Sequence, residues 1–517
     1  MQPLEIYAAA LAEYRNKNYK AALKTLTKFN KIAPNWEKAI LLEAYIRRDQ
    51  KLYLSEIEML EKFFKVIDIF EEKDLAVDAY SMKGSALRNL GKSAEAIDYF
   101  MKSAHLHEEQ SAICTEISNA IFAANDVENF TAADFEKLYA EYRKNLADIQ
   151  PYENIFYNHK KLRIGYLSAD FKNHPVMHWA SALILEHDKN NFEIYCYSTG
   201  KDFDAVTAQI KNAVECWQDI SDFNDYNAAR LIRADEIDIL FDLSGHTSNN
   251  RLPILAYKPA PVQISGIGYM NSTGLNCVDY FLSDETCAAN IDAMQNYFTE
   301  NFVCMTNSHF CYTPLKNFPA PKNPPCLSNG FVTFGCFNNF SKVTDSMLTA
   351  WKKILDAVPE SKLILKHKIF DTDEGKNFVS ARLKNLGINL KRVEMRGFSA
   401  DYLEEYNEID IALDTFPYNG GLTTCEALYM GVPVVTLYGE RHSTRFGLSI
   451  LKNIALEKLA AATFEEYISR AVALAADKDL LKNLRENLRE VMKNSPLMDA
   501  KAYVKELEEF YMAAVEQ

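Results

Sequence analysis

The sequence predicts two doubly wound α/β domains behind an all-α repeat region. Three observations lead there: helix-pair repeats with small residues at fixed places near the start, two successive series of short apolar strands alternating with amphipathic helices, and a Pro-rich break between the series. A chain of 517 residues exceeds one ordinary core, so several domains are expected.

The repeats come first. "LAEYRNKNYKAALKTLTKFNKIAP" carries Tyr14, Tyr19, Ala22, Leu26 and Pro34, and "YSMKGSALRNLGKSAEAIDYFMKSAHLH" carries Tyr80, Gly84, Leu87, Leu90, Gly91, Ala96 and Phe100. Gly84 and Ala96 let two helices approach closely, and Gly91 suits the turn between them, which is the spacing of tetratricopeptide repeats. Trp36 to Glu71 has helical composition and reads as a degenerate middle repeat. Such units stack to bury their faces and present a concave surface, which implies a protein partner. The repeats are assigned to residues 1–110 and a helical connector to 111–160, with "TAAD" at 131–134 as an N-cap signal.

From Lys161 the period changes. "LRIGYLSAD", "FEIYCYSTG", "IDILFDLSG", "VQISGIGY" and "VDYFLSD" read as strands of a first Rossmann-like domain, 161–325. "FPAPKNPPCLSNG" breaks the pattern. It then restarts with "FVTFGCFNNF", "SKLILKHK", "KRVEMRGF", "IDIALDT" and "VPVVTLYG", a second domain over 326–517 that includes a closing helical tail.

Bulk properties exclude several classes. A net charge of −14 argues against nucleic acid as the main ligand. Ten cysteines without a C-x-x-C pair argue against a zinc or disulfide framework. No apolar run is long enough for a membrane helix, and the first twenty residues do not read as a signal peptide, so a cytoplasmic location is expected.

The chemistry is expected in loops that follow strands, where open parallel sheets hold their ligands. In "DTFPYNGGLTTCEALYMG", Gly420 and Gly421 let the backbone pass close to a ligand, and the amides of Leu422, Thr423 and Thr424 open a helix whose N-terminus suits a diphosphate. Glu426 lies inside the first turn and suits ribose hydroxyls. Neither G-x-G-x-x-G nor G-x4-G-K-[ST] appears in this region. Asn338, Asn339 and Lys342 follow the first strand of the second domain, where a lysine neutralises phosphate charge. Asp170, Asn173 and His174 follow the first strand of the first domain, and His174 suits proton transfer or substrate binding. His246 and Tyr269 fall in later loops of that domain and join Asp170 and Asn173 as candidates for an acceptor or sugar pocket.

At these residues the chain resembles glycosyltransferase family 41, the O-linked N-acetylglucosamine transferases and SPINDLY-type protein O-fucosyltransferases. The resemblance rests on "LRIGYLSADFKNHPV", "DILFDLSGHT", "RLPILAYKPAPVQISGIGYMNSTGL", "GFVTFGCFNNFSK" and "DIALDTFPYNGG-x-TTCEALYMGVPVVTL", and covers nearly the whole chain. It implies a GT-B fold and metal-independent, inverting transfer of a sugar to Ser or Thr of a protein acceptor. UDP-N-acetylglucosamine is the first donor it implies, with GDP-fucose or UDP-glucose as alternatives. It matches Lys342 to a diphosphate contact, Gly421, Leu422 and Thr423 to the phosphate cradle, Glu426 to the ribose, Asn338 and Asn339 to the base and phosphate side, His174 to the active-site histidine, and Arg445 to an arginine of the N-acetylglucosaminyl enzymes. The proton acceptor is left open between His174 and a phosphate oxygen. The animal enzymes carry His at the position of Gly421 and Thr at that of Leu422. Three other readings stand beside it: a metal-dependent transferase using the D-x-D pairs Asp202/Asp204 or Asp371/Asp373, a repeat-based adaptor with an inactive transferase half, and a transferase acting on a glycan or small molecule.

Overall fold

The computed structural model describes residues 2–516. Eight helices open the chain, joined by short turns: α1 Pro3–Arg15, α2 Tyr19–Phe29, α3 Glu37–Asp49, α4 Tyr53–Phe63, α5 Lys73–Asn89, α6 Ser93–Leu106, α7 Gln110–Ala124 and α8 Ala132–Lys144. A Cβ on Gly84 would lie 2.8 Å from the Phe100 ring, so only glycine permits the α5–α6 contact, and Gly91 turns the chain at φ +76°. The middle repeat is the pair α3–α4. Thr131 caps α8 in a capping box with Asp134. The helical array continues without a break through α7 and α8, past residue 110, and from α5 onward its core is continuous with that of the α/β lobes.

The first lobe is a seven-stranded, wholly parallel sheet in the order β3-β2-β1-β4-β5-β6-β7. Its elements are β1 Leu162–Ser168, α9 Met177–Leu185, β2 Phe192–Ser198, α10 Ala205–Ala213, β3 Cys216–Asp219, α11 Asp225–Ala234, β4 Ile239–Asp242, α12 Pro253–Ala256, β5 Val262–Ser265, β6 Tyr280–Asp284, α13 Ile291–Gln295 and β7 Asn301–Met305. Central strands are buried on both faces, which is why they read as apolar runs: Ile164 sits opposite Ile194 on one side and Ile239 on the other.

The second lobe has six parallel strands in the order β10-β9-β8-β11-β12-β13. It comprises α14 Cys326–Asn329, β8 Thr333–Cys336, α15 Asp345–Ala357, β9 Lys362–Lys366, α16 Asp373–Asn385, β10 Val393–Arg396, α17 Tyr402–Glu405, β11 Ile411–Leu413, α18 Leu422–Tyr429, β12 Val434–Leu437, α19 Phe446–Lys452, β13 Ala460–Ala461, α20 Phe464–Ala476 and α21 Lys478–Lys493. The last helix, α22 Ala500–Val515, leaves this lobe and packs on the first. Glu508 accepts from His187 Nδ1 (2.9 Å) and from the Asp188 amide (2.8 Å), and Tyr511 lies beside Tyr166. The tail therefore ties the lobes together instead of closing the second one. No helix among the described residues is long and apolar enough to cross a membrane.

In each sheet the strand order reverses once, between β1 and β4 and between β8 and β11. Ligands of doubly wound sheets sit at the carboxyl ends of such strands. The two switch points share one cleft.

Candidate active site

A cavity of about 250 Å³ lies between the lobes. Its walls are the loops after β1 (His174, Val176), β5 (Ile267 to Met270), β7 (His309, Phe310), β8 (Asn338, Asn339, Lys342) and β11 (Tyr418, Gly421), with Trp179, Leu422, Thr423 and Phe446 from helices.

One buried carboxylate organises the second-lobe wall. Asp414 ends the strand "IALD" and accepts from Asn338 Nδ2 (3.1 Å), the Thr415 amide (2.8 Å), the Gly420 amide (2.7 Å) and Thr436 Oγ1 (2.7 Å). Thr423 Oγ1 donates to Asn338 Oδ1 (2.5 Å), and Thr424 Oγ1 to the Gly420 carbonyl (3.0 Å). This network joins the β8 loop to the start of α18. The first α18 amide to find an acceptor is that of Cys425, which donates to the Gly421 carbonyl (3.1 Å). Those of Leu422, Thr423 and Thr424 have none among the described residues, so the positive end of the helix faces the cavity. Asp414 was not singled out in the sequence, although an Asp closing an apolar strand ahead of a Gly-Gly turn is a readable signal.

Gly420 and Gly421 differ in role. The Gly420 amide is spent on Asp414, and a Cβ there would fall 2.5 Å from Thr423 Oγ1 and 2.8 Å from Asn338 Oδ1 and Thr424 Oγ1. Gly420 is thus required by packing inside the network, and Gly421 is the glycine that borders the cavity.

Lys342 reaches the cavity from a 3-10 turn, Phe340–Lys342, capped by Asn339, whose Oδ1 accepts from the Ser341 amide (3.2 Å). Its ammonium lies 3.2 Å from the centroid of the Tyr418 ring and donates to the Asn419 carbonyl (3.3 Å). Burial pushes the Lys342 pKa down to about 8, with Asp126 and Asp414 opposing the shift.

Glu426 is buried and turned away from the cavity wall. It accepts from the Tyr402 hydroxyl, which itself accepts from Lys316 Nζ (2.9 Å). Tyr402 and Lys316 border a second groove of about 440 Å³. Burial raises the Glu426 pKa to about 7, Tyr402 and Lys316 working against it.

His174 stands half-exposed, its Nδ1 lying 3.4 Å from the Val176 amide nitrogen and 3.5 Å from Asp170 Oδ2. Burial lowers its pKa and Asp170 opposes this, so the ring is neutral at pH 7. Asn173 is exposed, outside the cavity wall; its amide donates to Asp204 (2.7 Å).

Three predicted residues do other work. His246 is sealed between α7 and the first lobe. Its Nε2 donates to the Thr273 carbonyl (2.9 Å), its Nδ1 accepts from Ser118 Oγ (2.9 Å), and burial pushes its pKa down to about 4. It is a core histidine, not part of the cleft. Tyr269 lines the cavity by its ring, but its hydroxyl accepts from Asn125 Nδ2 (2.9 Å), which seats α7 on the lobe. Arg445 lies outside the cavity wall. Its Nε donates to the Thr286 carbonyl (2.7 Å) and its Nη1 to the Gly439 carbonyl (2.8 Å), bridging the lobes. Hydrogen bonds from a charged donor contribute about 1.5–3 kcal/mol each, so loss of both in Arg445→Ala is expected to cost about 3–6 kcal/mol in urea unfolding. Arg445→Lys should not restore it, because one ammonium cannot span both carbonyls.

The carboxylate pairs are also accounted for. Asp204 caps α10 and Asp202 pairs with Lys172, while Asp371 accepts from the Phe398 amide (2.7 Å) and pairs with Lys51. Donor atoms of Cys287, His309 and His442 lie within 4.8 Å of one another. Both His442 ring nitrogens are engaged across the lobes, with Ser283 Oγ (2.9 Å) and the Met270 carbonyl (3.0 Å).

The family model described as "Glycosyl transferase family 41" matches residues 143–322 and 320–507. The chain belongs to that family. Among the similar structures, a lysine-to-methionine mutant of Thermobaculum terrenum O-GlcNAc transferase superposes on this family 41 chain with a TM-score of 0.84 at 28% identity, covering 100% of it and 98% of the other chain. Curated relatives include the Solanum lycopersicum protein named "Probable UDP-N-acetylglucosamine--peptide N-acetylglucosaminyltransferase SPINDLY", 40% identical over 384 residues, which are 73% of this chain and 40% of the relative. The corresponding SEC protein of Arabidopsis thaliana is 30% identical over 368 residues, 68% of this chain and 37% of the relative. The chain thus spans about two fifths of the length of these curated relatives. Its two parallel sheets with flanking helices make the GT-B fold.

Proposed function

We propose that the chain is an inverting, metal-independent glycosyltransferase that moves N-acetylglucosamine from UDP-N-acetylglucosamine to Ser or Thr hydroxyls of a protein. The observation that carries this reading is the meeting, in one cavity, of the Lys342 ammonium with the unpartnered amides of Leu422, Thr423 and Thr424. Charge accumulates on the diphosphate as the glycosidic bond breaks, so these groups bind the transition state more tightly than the ground state. Gly421 admits the diphosphate, Asn338 and Asn339 border it, and Glu426 serves the ribose once Tyr402 yields its hydrogen bond. His174, half-exposed, takes the proton of the acceptor hydroxyl on Nε2 in the tautomer whose own proton lies on Nδ1, toward Asp170 Oδ2. The names of the similar proteins support the donor. The repeat helices, which end against the first lobe through α7, support a protein acceptor held along them. A cytoplasmic location goes with ten free thiols.

The titrations set a pH window. Above about pH 8 Lys342 loses its charge in the free protein, and below about pH 7 Glu426 becomes neutral. UDP affinity is therefore expected to peak between these values and weaken on both sides, which calorimetry across pH 6 to 9.5 would read; a flat profile contradicts the Lys342 assignment. Transfer itself is tested by intact-mass analysis of candidate acceptor proteins with UDP-N-acetylglucosamine, GDP-fucose and UDP-glucose in parallel. A mass increase with the first donor alone supports the reading, and an increase with another donor alone replaces the sugar.

A further inference from the structure

One buried histidine of the cavity wall has no part in this chemistry. His309 lines the cavity, is buried, and is clamped on three sides. Its amide and its ring Nδ1 both meet Asp284 Oδ2, at 3.1 and 2.5 Å, and its carbonyl accepts from the Tyr503 hydroxyl of α22 (2.8 Å). Asp284 ends β6, and also accepts from the amides of Thr286 and Cys287 and from Ser449 Oγ. Burial opposes ionisation of this carboxylate, but His309 and these donors outweigh it and hold its pKa below the ordinary range. In the neutral ring, a carboxylate against Nδ1 keeps the proton on that nitrogen and leaves Nε2 as a lone pair. Nε2 has no partner among the described residues.

The surroundings decide what that lone pair can meet. The rings of Phe310 and Phe446 stand 3.9 and 5.6 Å from the imidazole, and Trp179 is 4.6 Å from Phe310. Beside His309 the cavity wall is therefore largely aromatic, suited to the C–H face of a pyranose. A protein hydroxyl arrives at the mouth, where His174 is half-exposed; a group as deep as His309 meets the donor instead.

We infer that His309 is a specificity-determining residue for the donor, its Nε2 accepting a hydrogen bond from a hydroxyl of the transferred sugar while Asp284 fixes its orientation and tautomer. This rests on the proposed function, since it needs a nucleotide sugar in the cleft.

The test compares UDP-N-acetylglucosamine with UDP by calorimetry in three proteins. His309→Asn keeps a donor for Asp284 at the place of Nδ1 but has nothing at the place of Nε2. His309→Gln reaches the Nε2 position. The Asn variant is expected to bind the nucleotide sugar roughly tenfold more weakly with UDP affinity unchanged, and the Gln variant to recover part of the loss. Should the Asn variant not fold, wild-type protein titrated with 3-, 4- and 6-deoxy analogues of the donor reads the same bond, and one analogue must lose about tenfold. An Asn variant that binds both ligands as wild type does, one that loses both equally, or indifference to every analogue overturns the assignment and leaves the transferase reading standing. A wild-type protein that binds neither UDP nor UDP-N-acetylglucosamine overturns both.

Discussion

Lys342→Met is expected to lower the rate of sugar transfer by roughly 10²–10³-fold, the usual cost of removing one preorganised stabiliser of developing charge. The melting temperature should barely change. Among the described residues Lys342 makes no ion pair, its ammonium is desolvated against Tyr418, and its one hydrogen bond there is a 3.3 Å contact to a backbone carbonyl. A methionine of similar length fills that space without a buried charge. Single-turnover transfer together with a thermal melt separates the two effects. A wild-type rate in the variant would move the diphosphate elsewhere.

Gly420→Ala is expected to damage the second-lobe wall of the cleft and its ligand affinity together. Its Cβ would sit inside hydrogen-bond distance of Thr423, Asn338 and Thr424, the groups that hold the start of α18 against the β8 loop. Overpacking of this kind costs about 1–3 kcal/mol, and here the strain lands on the diphosphate cradle, so UDP affinity should fall by more than about tenfold as well. Gly421→Ala is the control. The nearest atom to its Cβ is on Trp179 at 3.6 Å, an ordinary contact, so the melt should match wild type. The space agrees with the His that the resembling animal enzymes carry at this position. A Gly420→Ala protein that melts and binds UDP as wild type does would contradict the network around Asp414.

Which features the sequence made legible follows from how far each depends on distant partners. Strands buried on both faces, such as β1 and β4, read directly as apolar runs. Less legible are β3 (Cys216–Asp219) and β7 (Asn301–Met305), where exposed positions break the apolar run, and β13 (Ala460–Ala461), which is buried but only two residues long. Loops after β1, β8 and β11 were legible as site loops because a parallel sheet sends its carboxyl ends to one side. The histidines show the limit. His174 and His246 give the same local signal, a histidine just past an apolar strand. One stands at the mouth of the cleft, and the other is consumed by Ser118, 128 residues earlier in the chain. His309 gives no local signal, because its meaning comes from Asp284 and from a tyrosine 194 residues later. Arg445 likewise reads as a ligand contact until Thr286 of the other lobe is seen to take its Nε.

Read from the sequence, the repeats end at residue 110, and the helical packing runs on past that point. The α7 helix stacks on α6 like another repeat helix, yet also seats Ser118 and Asn125 on the first lobe through His246 and Tyr269. Removing residues 1–110 would expose the α6-facing side of α7, whereas the small core shared by α1, α2 and one face of α3 is separate from that of the lobes.

The central claim is that the cleft is built for the diphosphate of a uridine nucleotide, and thermal stabilisation by UDP against GDP tests it most directly. At about a hundred times its dissociation constant a ligand adds roughly 2.7 kcal/mol to stability. UDP is expected to raise the melting temperature of the wild-type protein while GDP at equal excess leaves it unchanged, and Lys342→Met should abolish most of the UDP effect. No shift with UDP, or a shift with GDP alone, would contradict the account.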